Sequence, residues 1–366
     1  MALICPDYRG FAIAIVATLC GHASYAQDEG EIFRYYGQFH FAYQAFDDGV
    51  SKTENLVDIT NANSRIGFHL DGGAPIAFHF ETGLGFRPSS DTSQTNTPEF
   101  LTWNKTFLRI VELTWDTGYG TFGFGQGKMP TDGAAEVDLG KTVVVAKSTI
   151  PEANGSYIFR NKNGVLSDIT VKDGFDNLDG SRRFRVRYDS PEIAGFSFAA
   201  AYGREVLKTG DDNRYYDVVV NHGAQLGAFE IAGKLGVAFT EDRQASITTS
   251  ETVGSFALMH SQSGLNISIA GGKRNNEGGR YVYLKPGWNT DLFPIGTTKF
   301  VAELFSGNGY ETNGSTSQMW GAGIIQEFSE HGLEIYAGYR GFSYSDRTAT
   351  RYQDANVIQI GARARF

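Results

Sequence analysis

The final stretch of the chain constrains the fold most. From Val357 to Phe366 it alternates strictly, with Ile358, Ile360, Ala362, Ala364 and Phe366 on one face and Gln359, Gly361, Arg363 and Arg365 on the other. Side chains of an extended strand point alternately to its two faces, so this is a ribbon with one apolar and one charged side. About ten residues are what a tilted strand needs to cross a bilayer, and this polarity suits a strand between lipid and a wet lumen. A half-buried strand of a soluble protein has the same period, so the rest of the chain must decide.

The rest repeats the pattern. Sixteen strand-like segments lie near 33–46, 61–71, 75–86, 104–116, 119–128, 181–189, 194–204, 214–223, 227–239, 250–260, 264–274, 279–287, 297–306, 317–328, 332–344 and 353–366. Short connections with turn chemistry, such as Asp71-Gly72-Gly73-Ala74 and Ser190-Pro191-Glu192, alternate with longer polar ones at 47–60, 87–103, 129–180, 205–213, 240–249, 307–316 and 345–352. Short turns on one rim and long loops on the other are how an outer-membrane barrel is built, and an even strand number puts both termini on the short-turn side. Sixteen strands leave an aqueous channel, whereas eight are filled by their own side chains.

Faces follow from the same alternation. Phe196, Phe198, Ala200 and Tyr202 oppose Ser197, Ala199, Ala201 and Gly203, and Leu333, Ile335, Ala337 and Tyr339 oppose Glu334, Tyr336, Gly338 and Arg340. Charges collect on one face, as expected where a basic residue facing lipid at mid-bilayer costs about 2–4 kcal/mol. One strand resists: between Phe107 and Trp115 simple alternation cannot turn both Arg109 and Glu112 inward. Arg109 is expected inside, leaving Glu112 at a rim or a subunit contact.

Residues 1–26 read as a secretory signal, with Arg9, an apolar run from Phe11 to Cys20, and small residues at Ser24 and Ala26 before a cut at Gln27. Leu19 before Cys20 argues against lipoprotein processing. Both cysteines, Cys5 and Cys20, leave with this segment, so residues 27–366 carry no thiol chemistry. No later apolar run approaches the length of a membrane helix. A net charge of −9 disfavours nucleic acid. A hydrophobic fraction of 41% is low for a membrane protein, but a barrel needs apolar residues only at alternate strand positions.

These segments resemble the general trimeric porins of Gram-negative outer membranes over most of residues 27–366. Tyr36-Gly37-Gln38 looks like the family's first strand and Asn63-Ser64-Arg65-Ile66-Gly67-Phe68 like its second. Thr117 to Gln126 is similar to the strand before the constriction loop, with Gln126 where many members have Arg. Arg185-Val186-Arg187-Tyr188-Asp189-Ser190-Pro191 with Gly195-Phe196 resembles the next hairpin. The resemblance implies an all-β fold: a 16-stranded antiparallel transmembrane β-barrel, with 129–180 folded inward as the constriction loop. It also implies a homotrimer among outer-membrane lipid and lipopolysaccharide, with Phe366 as the signal read by the barrel-assembly machinery.

On that reading the chain is no enzyme. It is an outer-membrane pore passing small hydrophilic solutes and ions by passive diffusion. The loop carries Asp132, Glu136, Asp138 and Glu152; the opposing wall should present Arg183, Arg185 and Arg187, which share a strand face, with Arg65 and Arg109 by family position. Opposed acidic and basic rows set up a transverse field between walls of low dielectric. Mild cation preference is expected from the −9 charge. The rivals are a substrate-selective channel on the same barrel, for a sugar, an anion or a dicarboxylate, and an adhesive or anchoring barrel with its pore occluded.

Other signals weigh less. Gly118-Tyr119-Gly120-Thr121-Phe122-Gly123 fits a dinucleotide fingerprint but opens a strand, with no βαβ unit behind it. His40, His69 and His79 fall on three consecutive expected strands and are weak metal candidates; no cofactor is otherwise expected. Asp173, Asp176, Asn177 and Asp179 could hold Ca²⁺ in a loop, although their spacing is not that of an EF-hand.

Overall fold

The computed structural model describes residues 32–276 and 278–366, so the signal segment expected at 1–26 lies outside the described residues. In chain order the strands are β1 Phe33–Asp47, β2 Lys52–Asp58, β3 Arg65–Leu70, β4 Ile76–Gly83, β5 Leu108–Thr117, β6 Gly120–Lys128, β7 Ile158–Arg160, β8 Leu166–Thr170, β9 Arg182–Asp189 and β10 Phe196–Arg204. They continue as β11 Arg214–Leu226, β12 Phe229–Asp242, β13 Ile247–His260, β14 Leu265–Arg274, β15 Arg280–Phe293, β16 Gly296–Asn308, β17 Thr316–Phe328, β18 Leu333–Ser345 and β19 Ala355–Arg365. Two short helices, α1 Ile150–Asn154 and α2 Val171–Gly174, lie between β6 and β9.

Antiparallel pairing runs from each barrel strand to the next and closes where β1 meets β19, from Gln38↔Arg365 to Asp47↔Asn356. β2 and β3 are two halves of one barrel strand, both paired with β1, and β7–β8 is a separate hairpin. The wall is therefore a closed sixteen-stranded antiparallel barrel, as the periodicity predicts. Closure satisfies every wall strand on both sides, which hydrocarbon demands of a spanning sheet. Ile358, Ile360, Phe196, Phe198 and Ile335 are exposed on the outside, while Glu334, Arg340, Gln359 and Arg363 are buried within.

Three local expectations need correction. The segment 47–60 is not a long loop: β2 extends the first hairpin, with a tight turn over 48–51. Likewise β12 and β13 absorb most of 240–249. The second strand is broken at 59–64, where a 3₁₀ turn, Thr60–Ala62, pushes inward and the Asp58 carboxylate accepts from the Ser64 backbone N–H at 2.8 Å.

The fourth correction concerns β5. The register shifts by one residue where Glu81↔Ile110 gives way to Thr82↔Leu108, so Arg109 is the extra residue of a β-bulge. The bulge breaks the alternation and turns both Arg109 and Glu112 inward. Glu112 is thus at neither a rim nor a subunit contact; it pairs with Arg185 in the lumen wall.

Between β6 and β9 the chain runs along the inner face of the far wall, while its β7–β8 hairpin contacts the 48–51 turn and the 345–354 connection. Thr131 N–H donates to Asp217 on β11 at 3.2 Å, and Ser255 on β13 donates to the Ala134 carbonyl at 2.6 Å. Val145 seats in a notch of β17 and β18, where a Cβ added to Gly323 or Gly338 would lie 2.8 or 2.3 Å from it. Glycine is required there because the loop occupies the side-chain space. Higher up, Phe46, Tyr157, Phe159, Phe175, Phe305 and Phe342 form a buried aromatic core between loop and wall. It fills the lumen on that side and confines open space to the other.

Candidate functional site

The remaining space narrows between the loop and the wall of β3–β6. A cavity of about 450 Å³ there is bordered by Arg65, Arg109, Lys128, Lys147, Arg182 and Arg363, and by Glu81, Asp132, Glu136, Glu152, Asp176 and Asp179. The broken second strand contributes Thr60, Asn61 and Ala62. A second chamber of about 440 Å³ shares Lys128 and Glu136 with the first and reaches Lys234, Asn221 and His222.

On the wall, Glu81 sits between two guanidiniums: Arg65 Nε is 3.1 Å from it, and Arg109 Nε donates to its other oxygen. Tyr36 fixes Glu81 from below, donating at 2.8 Å, while its hydroxyl lies 2.7 Å from His79 Nε2. Arg109 also donates to the Asn63 side chain at 2.9 Å. Arg363 on β19 pairs with buried Glu334. Of the charged face of the closing strand, Arg363 thus lines the lumen beside the passage.

On the loop, Lys147 lies 2.9 Å from both Glu136 and Glu152. Burial works to lower the Lys147 pKa, but Glu152 and Glu136 outweigh it and raise it above its ordinary value. Burial would likewise raise Asp132, but Arg182 and Lys128 hold its carboxyl below the usual range. Asp179 goes the other way: burial, then Glu136 and Asp132, push its carboxyl well above the usual range, although the Ala135 and Gly133 backbone N–H groups donate to it.

The expected acidic set divides. Asp132, Glu136 and Glu152 border the passage; Asp138 does not. Asp138 is buried against Lys285 of β15 at 2.8 Å and accepts from Thr142 N–H at 2.7 Å, so it clamps the loop to the far wall. The expected basic set divides too. Arg65 and Arg109 border the passage, whereas Arg183, Arg185 and Arg187 face the lumen outside it. Arg183 pairs with Glu205 and stacks 4.0 Å over Tyr215, Arg185 pairs with Glu112, and Arg187 pairs with Asp189. The reason is local engagement along the wall: Arg183 turns to Glu205, while Arg185 and Arg187 donate to the Lys128 carbonyl as well as to their carboxylates.

Arg182, Lys128, Lys147 and Arg363 are site residues that sequence reasoning missed. Arg363 was legible as a lumen-facing charge, but its height in the barrel was not. Arg182 stands out: its Nε is buried without a hydrogen-bond partner, and it acts on Asp132 at longer range rather than through a close ion pair.

The three histidines do not meet. His40 is fully buried and contacts the Ala62 carbonyl and Tyr336 hydroxyl, whereas the His69 and His79 rings stack at 3.8 Å. Among the described residues no group of three or more His, Cys, Asp or Glu is placed to hold a metal. The acidic loop cluster also disperses: Asp173 caps α2, Asp176 pairs with Arg274, and Asn177 donates to Ser148 and Thr149.

Comparisons with known proteins agree with this architecture. A family model described as Gram-negative porin matches residues 12–363. No curated protein matches. Among solved structures, the anion-selective porin from Comamonas acidovorans is 14% identical, with a TM-score of 0.59 over 91% of this chain and 99% of that one. OprB of Pseudomonas putida is 9% identical, with a TM-score of 0.63 over 91% and 94% of the two chains. OmpT of Vibrio cholerae, in a trimer form, is 14% identical, with a TM-score of 0.53 over 91% and 99%.

Proposed function

We propose that the passage between the inward loop and the β3–β6 wall is the filter of an outer-membrane channel, since the chain belongs to the Gram-negative porin family. Small hydrophilic solutes and ions cross it by passive diffusion; it is a channel and not an enzyme. The observation that carries this reading is the set of charged groups facing one another across the passage, with Arg65 and Arg109 on the wall and Glu136 and Glu152 on the loop. Walls of low dielectric focus the field between such rows. A polar solute can orient in it, while an apolar one must displace ordered water and gains nothing.

The expected cation preference loses its basis at this scale. Net charge counts acids everywhere, whereas six basic and six acidic residues border the passage itself. Of those acids, Asp176 is turned to Arg274 and Asp179 sheds its charge most readily. Arg182 and, in the adjoining chamber, Lys234 make no close ion pair among the described residues and meet Asp132 only at longer range. This balance supports a weak anion lean. The solved relative that is an anion-selective porin is consistent with it.

The assembly is read as a homotrimer, in keeping with the trimer form of the Vibrio cholerae structure. The decisive experiment is reconstitution of the purified protein. Planar bilayers should show ohmic steps and a reversal potential of the anion-preferring sign at low salt. Liposome swelling should rise linearly with solute concentration. Negligible conductance would overturn the channel reading in favour of an occluded barrel, and saturable, competitive flux would replace free diffusion by a substrate-selective channel.

A further inference from the structure

One arm of the passage is held from outside it. α1 carries Glu152 to the border of the passage, yet it is five residues long and its N-cap residue, Thr149, makes no side-chain cap bond. A helix that short is marginal on its own, and its last carbonyls have no partner within it. Its position must come from contacts with other segments. Those that seat the loop on the far wall, at Asp138 and Val145, precede α1 in the chain. On the near side Gln44 of β1 donates to the Ala153 carbonyl at 3.0 Å. The remaining near-side contacts come from the 84–107 connection.

Ser89 is fully buried and joins the two sides of the passage. Its hydroxyl donates to the Glu152 carbonyl at 2.7 Å and accepts from the Thr60 backbone N–H at 3.0 Å. Thr60 borders the passage from the wall, Glu152 from the loop. Further along, Gln94 grips the chain just beyond α1. Its side-chain carbonyl accepts from the Ile158 N–H at 3.0 Å, and its Nε2 donates to the Ile158 carbonyl at 2.7 Å, as a strand partner would. The same Nε2 lies 3.4 Å from Asp48, the carboxylate that receives Arg160 of β7 at 2.7 Å. The connection is itself firmly placed. Asp58 N–H donates to the Arg87 carbonyl at 2.7 Å, and Arg87 N–H donates to the Phe100 carbonyl at 2.9 Å. No residue of 84–107 borders the passage, so lining it requires none of these contacts.

We propose that Ser89 and Gln94 are positioning residues of the filter, which set how far the Glu152 carboxylate projects into the passage. The electrical consequence rests on the channel reading. Glu152 shares Lys147 with Glu136, at 2.9 Å from each. Attraction between charges falls with distance and with the dielectric between them, so the hold on Lys147 depends on where α1 sits. Releasing the Glu152 carbonyl and the Ile158 backbone lets α1 drift toward open water. Lys147 then loses part of its neutralisation and the passage gains positive potential, although none of its own side chains has changed.

The test is a double-mutant cycle in planar bilayers at low salt. S89A/Q94A should move the reversal potential toward anion preference, in the direction of E152Q and by no more. On the E152Q background it should add no further shift, because the carboxylate it displaces is gone. E99Q, which alters an exposed carboxylate of the same connection, should match wild type. No shift in S89A/Q94A, or a full shift added to that of E152Q, would overturn the proposal. Should the double variant lack the heat-modifiable migration of a folded barrel, S89A alone, which removes one hydroxyl, takes its place. Hydrogen exchange separates this proposal from the channel reading. A wild type without conductance would sink the channel, while the Gly155 and Tyr157 amides, bonded to the Pro151 and Asn154 carbonyls, still report on α1. They should exchange at least about tenfold faster in S89A/Q94A, as expected when several net hydrogen bonds are lost. Equal protection would overturn the positioning role.

Discussion

At the scale of the residue, the passage turns on which charges are locked in close ion pairs and which act at longer range. Arg65 and Arg109 share Glu81, and Lys147 is held by Glu136 and Glu152, whereas Arg182 makes no close ion pair among the described residues and acts on Asp132 at longer range. Arg182→Gln should therefore move the reversal potential toward cation preference by more than Arg187→Gln, whose guanidinium is paired with Asp189 outside the passage. Bilayer measurements at low salt test this, since screening of charges beyond about 8 Å at 0.15 M blunts the difference. Equal shifts for the two variants would show that Arg182 is not special. Asp179 gives a pH dependence. Its carboxyl is raised, so on acidification it is protonated before its neighbours and removes one negative charge from the passage. Anion preference should accordingly increase as pH falls through that raised range, and Asp179→Asn should hold the acid-side value at all pH. A pH profile unchanged by the substitution would assign the effect elsewhere.

At the scale of the element, the wall was legible in the sequence and the loop was not. A strand between lipid and water must alternate, so β10, β12, β18 and β19 can be read directly from their side chains. Two interruptions escaped: the inward turn at 59–64 and the bulge at Arg109. Neither breaks the composition of its strand, because the inserted residues are as polar as the lumen they face. The path of 129–181 escaped because it is fixed by contacts with distant strands, such as Asp138 with Lys285 and Val145 with the Gly323–Gly338 notch. These contacts can be broken one at a time. Gly338→Val places a side chain in space that Val145 fills, with a first contact of 2.3 Å, so the loop must lift from the wall. Burying a valine is worth about 1.5–3 kcal/mol, enough to shift the loop without dissolving a barrel held by its own ladder. Single-channel records should show noisier and altered conductance with heat-modifiability retained. A quiet record identical to wild type would mean that the notch does not hold the loop. Asp138→Ala strands Lys285 without its buried partner, a loss of about 3–5 kcal/mol, and should destabilise the loop more than Gly338→Val does.

At the scale of the whole molecule, the barrel is lopsided. β12, β13 and β15 have 14 residues each, whereas β4 and β9 have 8 each. Crossing hydrocarbon takes about 9–11 tilted strand residues, so the short side is poorly matched to lipid. It is patched from outside by the 84–107 connection, where Phe86 and Phe100 pack with Phe41 of β1 at 5.0 and 6.1 Å, and Phe39 reaches Phe366 at 6.0 Å. Leu101 and Trp103 remain 59% and 53% exposed there. The terminal phenylalanine therefore belongs to an aromatic face as well as to the closing strand, where its backbone bonds Gly37 in both directions. An apolar face over the thinnest wall is where neighbouring copies of a trimer would meet. The long-stranded face then remains in lipid. The L101D/W103D variant separates the alternatives. A carboxylate near a lipid-facing rim is tolerated, since acidic residues cost less than basic ones there, but in a closed subunit contact it is repeated by symmetry and left unpaired. The variant should keep the heat-modifiable migration of a folded barrel and run as a monomer in light scattering, where wild type is expected to run as a trimer. A wild type that is monomeric in mild detergent would remove the trimer, and a variant that stays trimeric would move the interface away from this face.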